Sequence, residues 1–270
     1  MKATGVRLGR RQERPSSPAP TVKVLERGHI YFFYRPRVDE QEAKGPADVR
    51  RFYMVLHPHG KRRYRLVIIG EKRLPAVTRA GDRKSWGFVE KVSSRAEGVE
   101  DELDPETYAT KTRGERHVPA ARPAGEGVYA IVRHDDHTHL AYALELPAKP
   151  GDVQRALNIG EEGSYIISVK NPEAPSPPGL GLDETRQPHF PKDLKATFRG
   201  RRFVAVDPPD FLDYEGAEIL LIGASQDVYN ELGVRLEAEH ESAASAEIFK
   251  DLRLEKSLHP VTPLLQGKWA

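Results

Sequence analysis

The segment RHDDHTHLAY, Arg133 to Tyr142, places three histidines and two aspartates in the six positions from His134 to His139. Imidazole nitrogens and carboxylate oxygens are the ligand set of zinc-class ions. Three such ligands with a fourth position open to water yield a hydroxide nucleophile near neutral pH. Alternate residues of an extended strand share a face, so His137 and His139 are expected to point the same way. His134, Asp135 or Asp136 would then supply a third ligand from across a turn. That is the chemistry of a metal-assisted hydrolase. The same residues also describe a hairpin tip, because aspartate bonds its own backbone and tolerates unusual dihedrals. His57 and His59 in HPHG occupy the equivalent place in an earlier hairpin, which makes histidine at hairpin tips a habit of this chain.

Other groups offer different chemistry. KTRGERHVPAARPAGEG gathers Lys111, Arg113, Arg116, His117 and Arg122 around Gly114. Arginine presents a planar fork of donors and glycine lets backbone amides approach, so this loop is a candidate for phosphate or carboxylate binding. In HGKRRYRLVIIGEKR, Lys61, Arg63 and Arg65 would lie on one strand face and Arg62, Tyr64 and Leu66 on the other. A basic face with an aromatic nearby is how sheet-based binders hold single-stranded nucleic acid. VDPPDFLDYEGAE brings Asp207, Asp210, Asp213 and Glu215 close in sequence, a candidate carboxylate pair or divalent-ion site. AEILLIGASQDVYNEL reads as strand, turn and helix with Ser225 as N-cap, and it lacks a dinucleotide or phosphate-loop fingerprint. Nucleophile-elbow and H-E-x-x-H motifs are absent from the chain.

The elements that must carry these residues are mostly strands. HIYFFYRPRV (29–38), the two halves of RFYMVLHPHGKRRYRLVIIG (51–70), KSWGFVEKV (84–92), both halves of GVYAIVRHDDHTHLAYALEL (127–146) and SYIISVKNP (164–172) have strand-like density of apolar, β-branched and aromatic residues. The two long hairpins share a hydrophobic plan when Tyr53 is laid on Tyr129, a spacing that raises the question of an internal repeat. PGDVQRALNI reads as a short helix with Asp152 near its start, and the charged run from Arg95 to Glu115 reads as surface. Beyond the Pro/Gly-rich stretch Pro172 to Pro191, helices are expected in FPKDLKATFRG, SQDVYNELGV and SAASAEIFKDLRLE, with strands in RRFVAVDPP and AEILLIG. The class expected is therefore α+β, mainly antiparallel hairpins, with helices concentrated in the C-terminal third.

Composition narrows the function. The 270 residues contain no cysteine, which excludes disulfides, thiol nucleophiles and thiolate metal sites and fits a cytoplasmic address. No apolar run approaches the roughly 20 residues of a membrane helix, so no membrane partner is expected. Residues 1–23 carry six basic side chains against one acidic, leaving the rest of the chain at net −3. Residues 1–20 are expected to be a disordered basic tail, 21–171 a β-rich domain, 172–191 a linker or wrapping loop, and 192–270 a C-terminal region of the same or a second domain. The function expected is binding of an anionic partner, most simply nucleic acid, with the tail adding salt-sensitive affinity. Two alternatives stand beside it. One is a metal-assisted hydrolase at His134, Asp136, His137 and His139 with a divalent metal as cofactor; the other is a scaffold that holds a protein partner on its Pro-rich strip.

Overall fold

The computed structural model describes residues 22–77, 84–176, 184–238 and 245–270. The tail expected over residues 1–20, and residues 177–183 of the Pro-rich stretch, lie outside the described residues. The strands are β1 (Val22–Pro36), β2 (Val49–Pro58), β3 (Tyr64–Ile69), β4 (Lys84–Ser93), β5 (Glu106–Thr110), β6 (Gly114–Val118), β7 (Arg122–His134), β8 (His137–Leu146), β9 (Glu162–Lys170), β10 (Phe203–Ala205) and β11 (Glu218–Ser225). Between and after them run α1 (Glu97–Leu103), α2 (Asp152–Leu157), α3 (Lys192–Phe198), α4 (Val228–Leu232), α5 (Glu247–Asp251) and α6 (Thr262–Gln266).

Alternation in β1 explains the architecture. Ile30, Phe32 and Tyr34 project to one side, Tyr31 and Phe33 to the other, and both sets are buried. A strand apolar on both faces needs cover on both. The inner cover comes from closure. The antiparallel order β9-β11-β4-β3-β2-β1-β7-β8 is completed by pairing of β8 with β9, which makes an eight-stranded barrel. β10 adds to β9 alone, and β5 pairs with β6 as a separate ribbon. Eight strands leave an interior just wide enough for side chains to fill it. Phe32, Met54, Val67, Ile131, Tyr142, Tyr165, Ile167, Ile219 and Leu221 occupy it.

Each end of the barrel is plugged. At one end, the Tyr34 hydroxyl donates to the Ala270 carbonyl at 3.0 Å, and α2 adds Val153 and Leu157 to the core. At the other, Phe190, Phe198 and Phe211 pack edge to face or tilted, with centroids 5.2 to 6.0 Å apart. The fully buried Arg65 lies at this end. Its guanidinium donates to Glu26 Oε1 at 2.6 Å and Oε2 at 3.1 Å and to Asp213 at 2.7 Å, while the Tyr129 hydroxyl donates to Glu26 at 2.8 Å. A charge can be buried there because every side of it is paired.

Outer cover comes from the helices. Val99, Leu103, Ile248, Leu252 and Leu264 lie against Tyr31, Phe33, Tyr53, Val55 and Leu66. Val228 and Leu232 of α4 lie against Ala130, Val132 and Ala141. No helix among the described residues is long and apolar enough to cross a membrane, a statement that concerns helices and leaves strands aside.

The expected hairpins over 51–70 and 127–146 are present, as are the strands at 84–92 and 164–172. The mainly antiparallel β character expected is present, while the α+β class gives way to mainly β with short helices. Helices are five to seven residues long, α1 and α2 precede residue 172, and β11 from the last third is a stave of the barrel. Short amphipathic stretches in this chain serve as covers and plugs, so helical patterning near its end did not signal a helical layer. The charged run after Arg95 holds α1 and the ribbon, with Val99 and Leu103 buried. Asp227, not Ser225, caps α4 by accepting from the Asn230 amide. Tyr53 faces outward and Tyr129 inward, so the aligned hairpins present opposite faces.

Replacing Arg65 with Met removes the bidentate partner of buried Glu26 and leaves it Lys61 and Tyr129 alone among the partners described. Denaturant unfolding is expected to show a loss of about 3–5 kcal/mol, and a Glu26→Gln, Arg65→Met double variant should recover part of it.

Candidate metal centre

The expected anion-binding residues do not converge. Lys111 and Arg113 lie exposed at the turn of the β5–β6 ribbon. Arg116 pairs with Asp39 at 2.7 Å, and the His117 ring meets the Thr107 hydroxyl at 3.3 Å. Arg122 is buried at the start of β7 and donates to the carbonyls of Ala120 and Gln41. The expected common face of Lys61, Arg63 and Arg65 is corrected, because β3 begins at Tyr64 and only Arg65 of the three is in the strand, pointing inward. All three basic groups meet carboxylates: Lys61 those of Glu26 and Asp210, Arg63 that of Asp213, Arg65 those of Glu26 and Asp213. The acidic loop is the other half of this arrangement, with Asp207 on Arg133 at 2.8 Å and Glu215 on Lys91 at 3.6 Å.

The His134–His139 hairpin tip turns at Asp135, whose φ is +54°, and Asp136. His134 and His139 approach with ring centroids 5.8 Å apart, and His137 pairs with Asp136 at 2.9 Å on the surface. His139 is buried, with Nδ1 3.0 Å from the Ser164 hydroxyl. Burial, helped by the positive charge of His134 and His137 when protonated, pushes its pKa down to about 4.

A different histidine group was not singled out by the sequence. His29 on β1 and His57 on β2 are directly opposite in the antiparallel register, both on the outer face. Gly28 lets the strands approach here, since a Cβ at that position would lie 2.2 Å from the His57 carbonyl oxygen. His59 continues the same face past the end of β2, its ring 4.7 Å from that of His29, while the His57 ring stacks on Tyr64 at 4.2 Å. Over them lies α5. Its spacing of four residues puts Glu247 and Asp251 on one side of the helical turn, aimed at the histidines.

The donor geometry is close. Asp251 Oδ2 accepts from the Tyr31 hydroxyl at 2.7 Å and lies 3.0 Å from His57 Nδ1. Burial pushes the Asp251 carboxyl up, but the hydrogen bonds from His57 and Tyr31 outweigh it and hold the group below the usual carboxylate range. The Tyr31 hydroxyl is pushed well up by burial and by the Asp251 charge. His59 is pushed down by burial and by neighbouring His29 and His57. His29 Nδ1 lies 3.0 Å from Glu247 Oε2, yet this buried nitrogen has no aligned hydrogen bond among the described residues. Glu126 joins from β7, opposite Tyr31 in register, and accepts from the Glu247 amide at 2.6 Å. Donor atoms of His29, Glu247 and Asp251 all fall within 4.8 Å of one another. Comparison with protein-family models, with curated proteins and with solved structures finds no match to this chain.

His139 gives a pH signature. Its folded pKa lies below that of the unfolded chain, so its contribution to stability is complete above about pH 6.5 and declines as the pH falls toward 4. The full loss is on the order of 3 kcal/mol. Unfolding curves at pH 7 and pH 4.5 should therefore diverge more for the wild type than for His139→Gln.

Proposed function

We propose that this protein binds a divalent transition-metal ion of the zinc class, held by His29, Glu247 and Asp251. The observation that carries this reading is the pairing of His29 Nδ1 with a carboxylate oxygen at 3.0 Å without hydrogen-bond alignment, inside a set of three donors spanning 4.8 Å. The ring nitrogen and the carboxylate oxygen face each other there, and with Nδ1 unprotonated a cation between them satisfies both. An imidazole with two carboxylates suits zinc-class ions better than calcium or magnesium, which prefer oxygen alone. His57 and Tyr31 hold Asp251 through Oδ2, the outer-shell role that orients a ligating carboxylate. The reading keeps the His/carboxylate chemistry expected for the hairpin tip and moves it to another face of the barrel. Support for an anionic partner is narrower, resting on Lys111 and Arg113 at the exposed ribbon turn.

Calorimetric titration of chelator-treated protein with zinc chloride is expected to give one site per chain. His29→Ala should abolish it, and His57→Ala should weaken it by about 10- to 100-fold through loss of the orientation of Asp251. Titration without heat or stoichiometry in the wild type overturns the assignment.

A further inference from the structure

The donors of this centre come from two distant parts of the chain. His29 belongs to the barrel wall, whereas Glu247 and Asp251 belong to a segment laid over it. Such a segment has little hold of its own. α5 is five residues long, and an isolated helix of that length does not persist in water. Apolar contact supplies part of the adhesion, since Ile248 and Leu252 are fully buried and Ala246 and Leu254 nearly so, against Tyr31, Phe33, Tyr53, Val55 and Leu66.

Electrostatics at the seam is uneven: Asp251 is held by His57 and Tyr31, whereas Glu247 faces His29 Nδ1 without an aligned hydrogen bond. Glu126, Glu247 and Asp251 bring three carboxylates toward one another, with Glu126 and Glu247 also joined through the Glu247 amide. Their neighbours His29, His57 and His59 carry charge only when protonated. Glu247 and Asp251 bring two carboxylates within a few ångströms of His29, and a cation among these donors would offset their mutual repulsion. The donors also face a seam between wall and segment, not an open cleft. A cleft of about 600 Å³ elsewhere on the surface is lined by Ala143, Leu144, Pro147, Gly160, Glu162 and Leu236, and none of the donors contributes to it.

We propose that the ion is a clasp, fastening the segment Ser245–Leu254 to the outer face of β1 and β2 so that metal occupancy controls this segment's share of the cover over the apolar patch formed by Tyr31, Phe33, Tyr53, Val55 and Leu66, the rest of which α1 and α6 provide. This rests on the metal reading above and assigns the ion its task. Glu247 and Asp251 are the moving half of the site, and His29 is the fixed half. Without the ion the segment opens locally while the barrel stays closed, because the β8–β9 pairing and the Arg65–Glu26 pair do not involve it. Lys250 and Arg253 lie exposed on the segment and offer trypsin a direct report of opening.

The test uses the full chain, stripped with chelator and then supplied or not supplied with stoichiometric zinc chloride. Hydrogen exchange is expected to slow at least tenfold in peptides covering Ser245–Leu254 when zinc is added, with β3 and β4 unchanged. Trypsin cleavage after Lys250 and Arg253 should slow in parallel. Glu247→Gln, a change at a partly exposed side chain, should keep the exchange pattern of the barrel and lose the zinc protection of the segment. Zinc binding seen by calorimetry with no change in the segment overturns the clasp and leaves the metal site standing. Equal protection throughout the barrel overturns it too, since the ion then stabilises the fold as a whole. Absence of zinc binding overturns both.

Discussion

β1 lies between two cores, and that single constraint organises the molecule. Its inward side chains need a closed ring of strands around them, and its outward ones need a second layer of chain on the surface. Local runs β1–β2–β3–β4 and β7–β8–β9 build most of the ring, and the distant β1–β7 pairing and β11 join them. The second layer arrives from far along the chain, as α1 and then the segment containing α5 and α6. The donors His29, Glu247 and Asp251 gather where those two layers meet. An outer strand face and its cover are the place where side chains from distant parts of the sequence can face each other without entering the filled interior.

Charge is arranged by the same logic. The interior accepts one guanidinium because Glu26, Asp213 and Tyr129 surround it, and the acidic 207–215 loop that supplies Asp213 also plugs that end. Basic residues that look available in the sequence are thereby used internally. Lys61 and Arg63 share the carboxylates of this plug, and Arg122 spends its donors on carbonyls at the other layer. An arginine count along a chain reports how much positive charge exists, while the fold decides how much of it faces solvent.

The strands were legible because period-two alternation and dense β-branched runs are local signals, as in Arg51–Gly70 and Gly127–Leu146. Barrel closure was not, since nothing in β8 or β9 marks them as each other's partner rather than as sheet edges. The histidine pair at 57 and 59 was visible only as part of a hairpin tip. What made it a candidate site was His29, brought opposite His57 by register, and the Glu247–Asp251 spacing on a five-residue helix inside the longer one expected over 242–255, which nothing in the sequence marked for docking there. The cluster at His134–His139 is more conspicuous in the sequence because its members lie within six positions. Consecutive ligands tend to belong to a turn, whereas a centre built from three elements leaves no compact trace in the sequence.

The position of β11 also bears on how the chain reaches this state. β11 fills the gap between β4 and β9, so strands that precede it by many tens of residues must wait for it with unpaired edges. Non-local pairing of this kind is paid for in loop entropy before it is rewarded, and it slows folding. During synthesis β4 and β9 emerge well ahead of their shared neighbour. Until residues 218–225 leave the ribosome, the barrel is an open, twisted sheet with exposed edges, the species most prone to pair with another copy of itself. Yield on expression should thus depend more on what shields those edges during elongation than on the stability of the finished barrel.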